Sequence, residues 1–340
     1  MRFGPVPIAG AEGAVLAHSL MLSGRKLPKG RVLGPDEVAA LAAAGIETVV
    51  VARLDPGDVG EDTAAARLAA ALVPDPGAAG LRLTEPHSGR VNLNATVPGI
   101  VEIDAARIHA LNRIDQALTF ATLAPFERVA PGQLVGTVKV IPYAVAGPVL
   151  EAATRVATGA IRVRPVRLRS AGLILTVAED GAVADKLVRK GQEAVAGRLR
   201  ALGMELVEAV TVPHEVGAMA AALRGLRGDM ALILTAAATS DLHDTAPEAV
   251  RAAGGHVERF GMPVDPGNLL FHGTLGDRPV IGLPGCSRSP ALNGADWVLE
   301  RLACGIDLTS DDISAMGVGG LLKEIPIRPA PRERRPAIGE

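Results

Sequence analysis

The stretch Arg278 to Pro290, RPVIGLPGCSRSP, carries the residue types best suited to chemistry. A short apolar run (Val280, Ile281, Leu283) delivers Gly282 and the turn Pro284-Gly285. Gly285, Cys286, Ser287, Arg288 and Ser289 then stand ahead of an expected helix. Amides at a helix start point their hydrogens outward and carry partial positive charge. With two hydroxyls and a planar guanidinium beside them, they suit a phosphate or a similar anion. Cys286 has a setting that favours the thiolate, yet no evident His partner would make it a nucleophile. It either lines the same pocket or packs as a small hydrophobe.

A second loop, AAATSDLHDTAPEA, follows the apolar run Met230 to Thr235. It offers Thr235, Ala236 and Ala237 at a strand end. Asp244 is the carboxylate chosen to act in the site, the alternative being an N-cap for the helix expected from Pro247. Asp241 and His243 add divalent-metal residue types, but three groups in one loop make a weak signal and no metal ligands are assigned. Asp265-Pro266-Gly267-Asn268 reads as a tight turn, and Asp265 would face the ligand if the sheet brings it beside residues 284 to 289. Asn293 either caps the closing helix or reaches the ligand. The basic turn SGRKLPKGR, with Arg25, Lys26, Lys29 and Arg31, reads as a solvated hairpin tip.

These loops need elements to hold them. From residue 169 to 308 strands and helices alternate: strands at Leu173 to Val177, Glu205 to Thr211, Met230 to Thr235, His256 to Phe260, Leu269 to Leu275 and Pro279 to Leu283. Helices are expected at Ala182 to Leu202, Val216 to Leu226, Pro247 to Ala253 and Asn293 to Cys304. That rhythm implies an α/β domain with a mostly parallel sheet, helices on both faces, and a ligand at the carboxyl ends of the strands. Residues 1 to 57 read as a small α+β unit, with a helix from Asp36 to Ala44 and a strand from Thr48 to Ala52. Residues 58 to 168 read as an α+β domain with helices at 63 to 72 and 104 to 117. Residues 309 to 340, ending in RPAPRERRPAIGE, read as a tail or linker.

Composition bounds the ligand. Over 340 residues, 35 Lys plus Arg nearly balance 37 Asp plus Glu, so no overall field attracts nucleic acid and an anion needs a local site. The 2 cysteines, far apart, exclude a disulfide scaffold and a structural zinc. Prolines and charges interrupt the N-terminal apolar stretch, and no run is long enough to span a membrane, so a cytoplasmic protein is expected.

The two loops resemble the molybdopterin-binding domain of molybdenum cofactor biosynthesis proteins. Asp244-Thr245-Ala246-Pro247-Glu248-Ala249 is similar to that family's Asp to Pro-Glu-Ala signature. Gly261 to Asn268 is similar to its Pro-Gly segment, and Gly282-Leu283-Pro284-Gly285 to its Gly-Leu-Pro-Gly turn. The likeness spans Leu173 to Leu308. Upstream, GRVLGPDEVAALAAAGIETVVV and GQLVGTVKVIPYAV resemble the molybdotransferase-like half that precedes this domain in relatives, some of which continue into a nucleotidyltransferase.

The resemblance implies a three-layer αβα domain holding molybdopterin or molybdenum cofactor, with Mg²⁺ as a further cofactor. It implies Asp244 at the pterin or metal side, a homo-oligomer, and a separate nucleotidyltransferase as partner. It also implies either molybdenum insertion or presentation of the cofactor. The alternative is a non-catalytic carrier or regulatory binding protein. Ala236, Ala237 and Ala238 at family glycine positions favour that alternative, as does the lack of an Asp-Gly-Tyr-Ala segment.

Overall fold

The computed structural model describes residues 1–22, 24–178, 181–265 and 267–322. The chain divides into two compact units, Met1–Arg164 and a second beginning at Pro165.

The first unit is built on two separate apolar clusters. Around Leu16, Leu33, Leu41, Val49 and Val51, strand Thr48–Arg53 pairs antiparallel with Arg2–Pro7 on one side and Val15–Leu16 on the other, beside helix Pro35–Ala43. The basic turn forms a short hairpin, Leu20–Leu22 with Arg25–Leu27, and Arg31 pairs with Glu37 at 2.7 Å. The larger cluster takes Leu68 and Leu72 from helix Glu61–Leu72, Leu111 from helix Ala105–Ile114 and Leu150 from helix Gly147–Ala157. They pack on a four-stranded antiparallel sheet that contributes Leu93, Leu118 and Phe120.

In the second unit, numbering elements from its own start, the order is β1 (Ser170–Val177), α1 (Ala182–Ala201), β2 (Glu205–Pro213), α2 (Val216–Gly225) and β3 (Met230–Leu234). After these come α3 (Thr245–Ala252), β4 (His256–Met262), β5 (Asn268–Leu275), β6 (Arg278–Leu283), α4 (Gly294–Ala303) and α5 (Ser310–Ala315). The strands form one sheet in the order β2-β1-β3-β6-β5-β4. The pairs β1 with β2, β1 with β3 and β3 with β6 are parallel. Those of β5 with β6 and with β4 are antiparallel.

The sheet is therefore mixed, with three parallel pairings and two antiparallel ones at the β5 and β4 edge. The two residues Gly276 and Asp277 are all that join β5 to β6, and so short a link can connect only antiparallel neighbours.

Side chains alternate between the faces of the sheet, as strand geometry requires. Leu173, Leu175, Leu232, Leu234 and Ile281 share a cluster with Val195 and Leu199 of α1 and with Val298 and Leu299 of α4. Ile174, Ala231, Ile233, Phe271 and Val280 share another with Met219 and Leu223 of α2 and with Val250 of α3. Gly282 is required by this packing. A Cβ there would sit 1.9 Å from Cε1 of Phe271, so the glycine that opens the Gly-Leu-Pro-Gly turn leaves room for a buried ring.

Residues 309–322, expected as the start of a tail, instead carry helix α5. Thr309 and Asp312 form a capping box at its start, and Ile313 and Met316 join the α1 and α4 cluster. Arg259 on β4 donates to the Ser310 carbonyl and hydroxyl and to the Ser314 hydroxyl, at 2.7 to 2.8 Å. The Pro- and Arg-rich end, residues 323–340, lies outside the described residues. Among those described, no helix is long and apolar enough to cross a membrane.

Candidate functional site

Strand order reverses at β1: the chain leaves for β2 on one side and crosses back to β3 on the other. A crevice opens at the carboxyl ends of strands where such a reversal occurs. A cavity of 430 Å³ lies there, walled by Leu175 to Ala178 at the end of β1, Gly181 to Ala184 at the start of α1, Leu234 and Ala236 at the end of β3, and Arg288. The volume falls within the range of small-molecule sites.

Each wall has a chemical character. Among the described residues no side chain caps the first turn of α1, whose outward amides at residues 182 to 184 therefore face the cavity without a partner there. Asp185 in the same turn is exposed. Val183, 76% exposed, and Leu187, 48% exposed, bring apolar surface to the rim. Helix α1 can settle this close because of Gly191, where a Cβ would stand 2.7 Å from Leu234 Cδ2, 3.3 Å from Leu175 Cδ2 and 3.9 Å from Arg288 Cγ.

Arg288 supplies the charge. Its Nη2 donates to the Thr235 carbonyl at 2.6 Å, which ties the two sequence-distant loops together. Its Nε–H is buried with no acceptor among the described residues. Desolvation holds the guanidinium below its ordinary value, with no carboxylate among the described residues opposing it. A half-buried cation so placed is costly unless something anionic joins it.

The segment before Arg288 differs from expectation. No helix starts at residues 286 to 289: Gly285–Arg288 is one 3-10 turn, and α4 begins only at Gly294. Pro290 explains the stop, because it disfavours helical backbone in the residue before it, and Ser289 is extended. The Ser287 amide donates to the Pro284 carbonyl at 2.9 Å and the Ser289 amide to the Cys286 carbonyl at 3.0 Å, so neither is available to cradle an anion. Ser287 is fully buried, while Gly285, Cys286 and Ser289 are exposed and lie outside the cavity wall.

Arg198 of α1, which sequence reasoning missed, holds this turn in place. Its Nε donates to Asp296 Oδ1 at 2.6 Å. Nη1 donates to the Ser287 carbonyl at 2.8 Å, and Nη2 to those of Ser289 and Ala291 at 2.7 and 3.1 Å. Asp296 in turn accepts the Asn293 amide at 2.8 Å, and Asn293 caps α4 through the Ala295 amide at 2.9 Å. Asn293 is thus the helix cap.

In the other loop, Thr235 Oγ1 donates to the Ala237 carbonyl at 2.6 Å, and the Ala236 amide donates to Thr176 Oγ1 at 2.7 Å. Ala237 is exposed. Asp244 is the N-cap of α3, accepting the Ser240 amide at 2.8 Å and the Thr245 amide at 2.6 Å, and it does not line the cavity. Those bonds, Ser240's foremost, hold its carboxyl below the usual range.

A carboxyl depressed on folding contributes stability above its unfolded pKa and loses it as pH falls through the folded one. Asp244→Ala is therefore expected to cost about 1 kcal/mol at pH 7. The deficit against wild type should shrink as urea melts are carried down toward pH 3, and a constant deficit would contradict the cap.

Asp265 is buried with φ of 46°, its amide donating to the Gly320 carbonyl at 2.6 Å, away from the cavity wall. Asp241 accepts the His243 amide at 2.8 Å, and His243 faces Glu248 at 3.0 Å on the surface. Among the described residues, no three His, Cys, Asp or Glu side chains gather as a metal site. Of the residues singled out from sequence, the cavity wall takes Ala236 and Arg288, with Thr235 directly behind. Thr176 and the start of α1 were the missed part.

Comparison with known proteins gives little to place beside this geometry. Residues 5–53 match a family described as a domain of unknown function (DUF8806). No curated protein matches the chain. Among solved structures, a molybdopterin biosynthesis MoeA protein from Pyrococcus horikosii is similar at 12% identity and a TM-score of 0.31, over 89% of this chain and 75% of that one. A molybdenum cofactor biosynthesis protein from Pyrococcus furiosus is similar at 13% identity and a TM-score of 0.23, over 89% of this chain and 61% of that one. At these scores neither bears on what the cavity holds.

Proposed function

We propose that the cavity at the ends of β1 and β3 binds a small ligand with an anionic tail, and that this ligand is molybdopterin or its metal-loaded form. One observation carries the anion: Arg288 lies at the cavity, desolvated, with a buried N–H lacking an acceptor and no opposing carboxylate among the described residues. A phosphate between this guanidinium and the open amides of α1 would satisfy both. Leu175, Val177, Val183 and Leu234 offer apolar walls to a flat ring, and the Thr176 hydroxyl is a polar contact for its edge. The choice of a pterin rests on the sequence likeness at Asp244 to Ala249 and Gly282 to Gly285. The same reading carries the three-layer αβα description and a role in molybdenum cofactor biosynthesis.

Within this reading, carriage of the cofactor is favoured over molybdate insertion. Asp244, the carboxylate assigned to chemistry, is already held by two backbone amides. No three-group ligand set for Mg²⁺ occurs among the described residues. A calorimetric titration with purified molybdopterin should show saturable binding at neutral pH, with no AMP released from adenylylated molybdopterin when molybdate is added. AMP release would favour the transferase, and absence of binding would remove the proposal.

A further inference from the structure

Arg288 is the middle residue of a bracket built by α1. Arg198, buried near the C-terminal end of that helix, donates from Nη1 to the Ser287 carbonyl at 2.8 Å and from Nη2 to the Ser289 carbonyl at 2.7 Å. The two carbonyls it grips therefore lie on either side of Arg288. A further bond, to the Ala291 carbonyl at 3.1 Å, carries the grip past Pro290, while Asp296 holds the guanidinium through Nε at 2.6 Å. A planar fork can make all these bonds at once, which the compact ammonium of a lysine cannot.

The Arg288 side chain is braced by the same helix. Gly191 precedes Arg198 by two turns and so lies on the same face. A Cβ there would stand 3.9 Å from Arg288 Cγ, so the bare backbone of α1 runs beside the arginine stem. The head is tied by Nη2 to the Thr235 carbonyl at 2.6 Å. Backbone, stem and head are thus set at three points, two of them supplied by α1. The first turn of α1 walls the cavity that Arg288 also lines, so one helix fixes the spacing between the two groups that would hold an anion.

We infer that Arg198 is a positioning residue for anion binding, which lies outside the cavity wall and acts by holding Arg288 in register with the α1 amides. This rests on the anion-binding reading above and adds a residue to the same site. Arg198→Lys keeps a cation for Asp296 but loses the fork, which frees the backbone on both sides of Arg288. Affinity for a tetrahedral dianion should then fall about tenfold, the scale of one charge-assisted hydrogen bond.

The test is a sulfate titration of the full chain at constant ionic strength, read by NMR from the Arg288 side-chain N–H signals well below the melting midpoint of each variant. Wild type should saturate, and Arg198→Lys should need about ten times more sulfate. Val195→Ala, a truncation in the apolar cluster on the same helix, separates positioning from stability: it should melt earlier yet bind sulfate as wild type does. Where Arg198→Lys does not fold, Arg198→Met with Asp296→Asn, which buries no unpaired charge, takes its place with the same expectation. An Arg198 variant that binds within about twofold of wild type, or an equal loss in Val195→Ala, overturns this inference and leaves the anion site standing. Sulfate that leaves the Arg288 signals of wild type unmoved removes both.

Discussion

Arg198→Met is expected to lower the stability of the second unit by about 3 to 5 kcal/mol. The variant leaves the buried Asp296 carboxylate without its cation and takes donors from three loop carbonyls together. A methionine matches much of the stem volume, so the loss reads the polar bracket and not a cavity. For a unit of this size the melting midpoint should fall by roughly 10 °C. Replacing both members, Arg198→Met with Asp296→Asn, should recover part of the loss, since no unpaired charge is then buried. A single variant within 1 kcal/mol of wild type would show that Arg198 does not hold the turn.

Arg288→Met is expected to do the opposite: little to stability and much to binding. Among the described residues the guanidinium has one strong bond, to the Thr235 carbonyl, set against desolvation and an N–H without an acceptor there, so its removal should change stability by less than about 1 kcal/mol. Molybdopterin affinity should fall about a hundredfold, the scale of losing a desolvated charge contact. Equal affinities would move the anion site elsewhere. A large stability loss would recast Arg288 as a structural clasp.

What could be read from the sequence depended on how local each cause was. The apolar runs of β1, β3 and β6 and the amphipathic α1 announce themselves within their own residues; the structure places β3, β6 and α1 within one residue of expectation and starts β1 three residues earlier, at Ser170. The Thr309 to Asp312 capping box was equally local and marks α5, yet the Pro- and Arg-rich end that follows led the whole stretch from residue 309 to be read as a tail. Helix Gly147–Ala157 in the first unit is absent from the sequence reading, although the proline near its start is tolerated there.

The site was harder to read. Arg198 is one of several basic residues on α1, and its partners are carbonyls some 90 residues on, where any residue type would serve equally. His214 comes within 3.0 Å of Thr176 only through the parallel pairing that sets β1 beside β2. Asp244 showed the reverse: a cap and a catalytic carboxylate look alike in sequence, and the Ser240 and Thr245 amides settle which bonds it makes.

A crystal structure of the chain with molybdopterin bound would test the central claim most directly. The account predicts the terminal phosphate within hydrogen-bond distance of the Arg288 guanidinium and of the amides of residues 182 to 184, with the ring over Leu234 and beside Thr176. A pterin seated on the 285 to 289 turn or against Asp265, with the cavity empty, would contradict it.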